Sequence, residues 1–146
     1  IQNCWGINIV LNMDSTMGHN MISTTDPEQA MDDLALFSEK GVMRHHAVGG
    51  WDNENAVWDW ARNFHCDMVL FNDNVACKGM NGVHALMEEQ ARDLGFHFIF
   101  LEHDLEDCRT ISRRDMRRCV NDYMSVVLNE TPLDATLVDF DDSEAW

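Results

Sequence analysis

Short, continuous apolar runs alternate along the chain with longer stretches of helical periodicity. Ile7, Ile9, Val10 and Leu11 form one run around Asn8, and Met68, Val69, Leu70 and Phe71 form a second. Phe98, Ile99, Phe100 and Leu101 form a third after His97. Runs this short, rich in β-branched and aromatic residues and without polar alternation, predict buried strands. Between them, Asp26, Pro27 and Gln29 announce a helix. Asp26 is suited to the cap, Pro27 to the first helical position and Gln29 to a capping box. Ala30, Met31, Leu34, Ala35 and Ser38 give it one face and Gly41 its stop. Asp52 or Asn53 caps a second helix with Ala56, Val57, Trp60, Ala61 and Phe64 inward, after a loop over 42–51 with a brief extended stretch. A third helix is expected over about 81–94, burying Val83, Leu86, Met87, Ala91 and Leu94 before Gly95. Ser112 and Asp115 are spaced as a capping pair for the last helix, whose apolar positions run through Met116, Cys119, Val120, Tyr123, Met124, Val127 and Leu128.

Strands separated by helices predict an α/β fold, a parallel sheet covered on both faces, with three or four strands over residues 1–130. Right-handed crossovers place the carboxyl ends of all strands on one edge, where open α/β sheets bind ligands. Residues 131–146 read as an acidic tail whose Leu133, Leu137, Val138, Phe140 and Trp146 are available to dock on a partner.

Length and charge narrow the picture. A chain of 146 residues is enough for one domain with a real core. Its net charge of −16 argues against a nucleic-acid surface. No apolar run approaches the ~18 residues of a membrane span. Five scattered cysteines do not resemble the disulfide framework of a secreted domain, so a cytoplasmic setting is expected. Ten methionines suit a soft core or interface. The start at Ile1 with no leader suggests a piece of a larger polypeptide, a processed product or a trimmed chain.

Cys77 is the most informative single residue. It follows the second apolar run and precedes Lys78, Gly79, Met80, Asn81 and Gly82, at a strand end and ahead of a helix whose dipole favours an anionic thiolate. It forms no CxxC pair, so it is either a lone thiol or one ligand of a group held jointly with residues elsewhere. Each strand exit is polar: Asn12, Asp14 and Ser15; then Asn72, Asp73 and Asn74; then Glu102, His103 and Asp104. Such residues commonly cap helices or meet water, but the topology gathers them around one crevice. Cys4, Cys66, Cys108 and Cys119 lack zinc-finger spacing to Cys77, and Cys119 fits a small buried apolar position. Arg109, Arg113, Arg114, Arg117 and Arg118 supply half of the ten basic residues. Cations in the first turn oppose the helix dipole, so pairing with Glu106, Asp107, the tail or a partner subunit is expected ahead of a phosphate-bearing ligand.

Residues from about 58 to 128 resemble the carboxyl-terminal lobe of the 2-hydroxyacyl-CoA dehydratase and benzoyl-CoA reductase family. The resemblance is carried by Trp60, Ala61 and Arg62, by the run from Cys66 to Phe71, and by Ala76, Cys77 and Lys78. It continues from Leu94 through Leu101, Glu102, His103 and Asp104 to the arginine-bearing helix after Ser112. It implies a flavodoxin-like three-layer sandwich and a [4Fe–4S] cluster between two lobes, with Cys77 as the one ligand from this lobe. Given such a cluster, the polar strand exits place Lys78 and Asn72 near the cofactor, and Asp14, Glu102 and Asp104 are expected at the catalytic crevice. The implied partners are an amino-terminal lobe, a second homologous subunit, an ATP-dependent activator protein and an acyl-CoA or aryl-CoA substrate. The stretch from Gly79 to Gly82 departs from the usual continuation in the dehydratases, leaving dehydration and ring reduction both open. Two other classes remain: a non-catalytic interaction module, and a flavin or nucleotide binder using the same sheet edge.

Overall fold

The computed structural model describes residues 1–12, 22–39, 52–104, 106–107 and 109–140. The chain divides into two compact units, one formed by Ile1–Ile9 with Asp67–Trp146 and the other by Val10–Cys66.

The first unit is built on two strands, β1 (Met68–Asn74) and β2 (His97–His103), paired in parallel from Met68 opposite His97 to Asn74 opposite His103. Parallel neighbours need a long crossover, and here it runs through α4 (Lys78–Asn81) and α5 (His84–Leu94). Gly95 ends α5 at φ 81°, and its cap returns an N–H to the carbonyls of Ala91 and Arg92. The sheet thus has the mixed, parallel α/β character expected from the sequence, with two strands among the described residues.

Period-two alternation sends the two halves of each strand to different helices. Phe71, Phe98 and Phe100 form one aromatic face, and the His84 ring of α5 stacks on Phe100 at 3.6 Å. Met87 and Ala91 of α5 are wholly buried. Leu101 instead joins a cluster with Cys4, Trp5, Val120 and Met124, two of which lie on α6 (Arg113–Asp122) and the turn after it. Ser112 starts α6 by accepting the Asp115 N–H at 3.1 Å, while its hydroxyl donates to the Asp115 carboxylate at 2.7 Å. The expected helix to Leu128 does not continue unchanged. Residues Tyr123–Val127 form a π-helical turn, closed by the Leu128 N–H on the Tyr123 carbonyl. The wider turn rotates the face, and Val127, expected inward, is 60% exposed.

The amino terminus and the tail brace each other. Helix α1 (Gln2–Trp5) ends at Gly6, φ 73°, where an added Cβ would sit 2.8 Å from a Leu133 methyl. Leu133 and Asp134 both donate backbone N–H groups to the Cys4 carbonyl, and Trp5 Nε1 donates to Asn121 at 2.8 Å. Leu137 and Val138 pack on the cluster, so the described part of the tail folds onto its own chain.

Residues 7–11, expected to be a strand, lie outside both strands. Ile9 is 54% exposed although its neighbour Ile7 packs on the cluster. An apolar, β-branched run records a propensity for pairing but does not name its partner.

In the second unit, α2 (Pro27–Glu39) and α3 (Asp52–Asn63) fall where expected. Asp26 caps α2 by accepting the Glu28 and Gln29 N–H groups. The expected capping box does not close, because the Gln29 amide donates forward to Asp33. Met31, Leu34 and Phe64, expected inward, are exposed, whereas Trp58 and Ala61 of α3 are buried. The arginines expected to find local acceptors do so in part. Asp107 takes Arg109 through two bonds of 2.8 and 2.7 Å, Arg118 faces Asp122, and Arg117 donates to the Phe140 carbonyl and lies over its ring. No described helix is long and apolar enough to cross a membrane.

Candidate functional site at the carboxyl edge of the parallel pair

Where β1 runs out, the backbone turns through Val75 and Ala76 to Cys77. The Val75 N–H extends the ladder to the His103 carbonyl at 2.9 Å, and the Cys77 N–H returns to the Asn74 carbonyl at 2.7 Å. The Asn74 side chain accepts from Ala76 at 3.1 Å. Asn81 then gathers the loop from below. Its amide nitrogen lies 3.2 Å from the Asn74 carbonyl, 3.3 Å from that of Val75 and 3.1 Å from that of Cys77. One short-chain amide thus fixes the curve of backbone on which the cysteine is mounted.

Cys77 is half-buried and its thiol is free of any disulfide. The helix that follows it is the single turn α4, not the long helix expected from the sequence. A macrodipole grows with the number of aligned peptides, so the electrostatic benefit to a thiolate is smaller than a full helix would supply. Cys119, expected to be buried, is exposed as a residue, yet its sulfur donates to the Phe100 carbonyl at 3.6 Å. Burial of that thiol pushes its pKa up, with Asp122 and Glu102 adding to the effect.

The same edge holds two buried polar atoms without partners among the described residues, Asp73 Oδ2 and His103 Nδ1. Asp73 is only 2% exposed. Its burial raises the carboxyl pKa above 3.8, opposed by His103, the Asn74 N–H and His84, and reinforced by Glu102. Burial works against the charged form of a carboxyl group.

The other sequence candidates occupy less specialised positions. Asn72, Lys78 and Glu102 are exposed at the same edge. Asp104 is engaged in the loop after β2, where one carboxylate oxygen accepts the Glu106 N–H at 2.9 Å and the Asp107 N–H at 3.1 Å. Those two bonds, with one from the Thr110 side chain, hold its pKa below the usual carboxylate value. Asp14 lies outside the described residues. The edge therefore brings together Asn72, Cys77, Lys78, Glu102 and Asp104, and adds Asp73 and Asn81 as its most constrained members. Both additions sit inside polar stretches visible in the sequence; what the sequence withheld was their burial and their bonding.

Among the described residues no group of three His, Cys, Asp or Glu side chains is arranged to hold a metal ion. The chemistry of this donor set fits one thiolate contributed to a shared group, and does not fit a complete site. A separate groove of about 400 Å³ is lined by Trp5, Ile9, Arg117, Asn121, Leu137 and Phe140, among others, and by none of the residues at the sheet edge. No protein-family model, no curated protein and no solved structure matches this chain.

Proposed function

We propose that this chain is the carboxyl-terminal lobe of a subunit of a cytoplasmic iron–sulfur enzyme acting on CoA thioesters. In this reading its fold is a flavodoxin-like three-layer sandwich, and Cys77 ligates a [4Fe–4S] cluster whose other ligands come from an amino-terminal lobe. The observation that carries the reading is a half-buried thiol on a loop pinned by Asn81, at the carboxyl edge of a parallel pair. Such edges are where α/β sheets receive ligands. The residue pattern around Cys77 and from Leu94 to Asp104, which resembles that of the family, supports the choice of chemistry.

The bound cluster would supply low-potential one-electron chemistry, its potential set by thiolate ligation, hydrogen bonding and exposure. The chain's own contribution is positional. Asn81 holds the carbonyls around Cys77 and thereby aims the sulfur. Asp73 stands buried at the same edge, where that burial raises its carboxyl pKa. Glu102, Asn72 and Lys78 provide polar contacts at the rim, and Asp104 shapes the loop beside them. An activator protein, a second homologous subunit and an acyl-CoA or aryl-CoA substrate complete the assembly.

The test is metal content. The chain, purified without oxygen together with the proteins that accompany it, should carry iron and acid-labile sulfide in matching amounts. Cys77→Ser should lose them, while Cys66→Ser should keep them. Retention of iron and sulfide by Cys77→Ser refutes the ligand role, and a bound flavin in place of iron refutes the whole reading.

A further inference from the structure

The groove of about 400 Å³ lies wholly within the first unit, lined by α1 and Ile9, by α6 and by the tail. Its walls are tied to one another. Leu133 and Asp134 bind the Cys4 carbonyl, and Trp5 Nε1 donates to Asn121 at 2.8 Å. Asn121 then closes the circuit by donating its amide to the Val138 carbonyl at 2.8 Å. The groove is therefore preformed, and its volume falls within the roughly 300–1,000 Å³ typical of small-molecule sites.

The same bonds decide which groups face a ligand. The Trp5 indole N–H and both ends of the Asn121 amide are committed to each other and to the tail. What the walls offer instead is apolar surface. Ile9 and Phe140 are 54% and 53% exposed, beside the buried Val120 and the half-buried Leu137. Such a lining suits an apolar body that asks for few polar contacts.

Charge sets the sign of the remaining contact. The chain carries 26 acidic residues against ten basic ones, yet the described residues lining the groove include Arg117 and no carboxylate. Arg117 is half-buried, donates to the Phe140 carbonyl and lies 5.8 Å from the centre of the Phe140 ring. A guanidinium has five N–H donors in one plane, so it serves several acceptors at once. Held against an aromatic face and partly out of water, its charge acts through a lower effective dielectric than at an open surface.

We propose that this groove binds a small aromatic carboxylate, its ring against Ile9, Leu137 and Phe140 and its carboxylate on Arg117. A flat ring stacks with an offset on the exposed Phe140 face, and a planar guanidinium meets a carboxylate through paired N–H bonds. The acid, rather than a neutral aromatic, is the ligand because the lining supplies one cation and no anion. None of the lining residues belongs to the sheet edge that carries Cys77, so the site is independent of the proposed cluster and survives its failure.

Naphthalene-2-carboxylate, titrated into the whole chain at neutral pH and followed by backbone amide NMR shifts, tests this site. The shifts of Trp5, Ile9, Asn121 and Phe140 should saturate together with a Kd of about 1 mM or tighter, the affinity that ordinary ligand efficiency gives a molecule of this size. Naphthalene-2-carboxamide has the same outline without the charge and should bind at least about 5-fold more weakly. Arg117→Gln should erase that difference between acid and amide. Ile9→Glu sets a carboxylate in the groove from an exposed position, and should weaken the acid at least about 5-fold while leaving the amide within about 2-fold. This variant and the amide comparison carry the test if Arg117→Gln loses its fold. Absence of saturable shifts at these residues up to about 10 mM overturns the proposal. Equal binding of acid and amide to the parent chain, or binding of the acid that ignores Ile9→Glu, overturns it equally.

Discussion

Asn81 offers the sharpest test of how the cysteine loop is held. Asn81→Ala removes an amide nitrogen lying 3.1 to 3.3 Å from three carbonyl oxygens, those of Asn74, Val75 and Cys77. An amide nitrogen has only two hydrogens, so two of the three contacts are full bonds at any moment. At a net 0.5–1.5 kcal/mol for each bond, the loss is about 1–3 kcal/mol. The carbonyls are only partly buried, so water replaces some of the lost bonding, and the lower half of that range is expected. In a urea titration the midpoint should fall with the slope unchanged, because the exposed area does not alter. Loosening the loop by about 1 kcal/mol should also raise the alkylation rate of Cys77, followed by mass spectrometry of its peptide, roughly 5-fold. Asn81→Asp keeps the size but points a carboxylate at the same carbonyls, and should be at least as unstable as the alanine variant. A stability loss below about 0.3 kcal/mol with unchanged labelling of Cys77 would refute the role given to these bonds.

Two further substitutions probe the surroundings of the site. Burial raises the Asp73 pKa, so the native state retains a proton that the unfolded chain releases near 3.8, and stability falls as pH climbs through the folded value. Asp73→Asn should therefore be more stable than the parent at neutral pH by about 1–3 kcal/mol, with the gap closing toward pH 3.8, as read by urea titrations across pH. A constant gap at every pH would show that the carboxyl group is not the source. Met87 has no exposed surface, and Met87→Ala should cost about 2–5 kcal/mol in the same assay. Leu86→Ala, one residue away and 39% exposed, should cost less than about 1 kcal/mol. Equal losses at the two positions would contradict the placement of α5.

The elements that the sequence announced most clearly are those with local signals. Ser112 and Asp115 bond each other as their spacing predicts, Gly95 adopts the left-handed cap, and both strands after residue 66 form where continuous apolar runs stand. Signals that depend on distant partners were harder to read. The run at residues 7–11 has the composition of a strand yet lies outside both strands, and composition is silent on pairing partners. The inward face of α2 was misread in the same way, since Met31 and Leu34 have helical spacing yet are 67% and 45% exposed. At the π-helical turn one extra residue was enough to send Val127 outward, and nothing in the sequence marks that insertion.

The candidate site divides along the same line. Cys77, Glu102 and Asp104 are legible because strand ends are legible, and their residue types narrow the chemistry. Asp73 and Asn81 are not, because neither composition nor spacing reveals that one carboxyl group loses its water or that one amide serves three carbonyls. Position at a strand end says which residues are candidates, whereas desolvation and bonding say what each can do. Asp104 stands in the favoured place, yet two backbone N–H groups occupy one of its oxygens and hold it ionised. Asp73, one strand over, has an oxygen with no partner among the described residues and a carboxyl pKa raised by burial. Of the two, Asp73 is the carboxyl group whose charged form the fold opposes, and Asp104 the one whose charged form it favours.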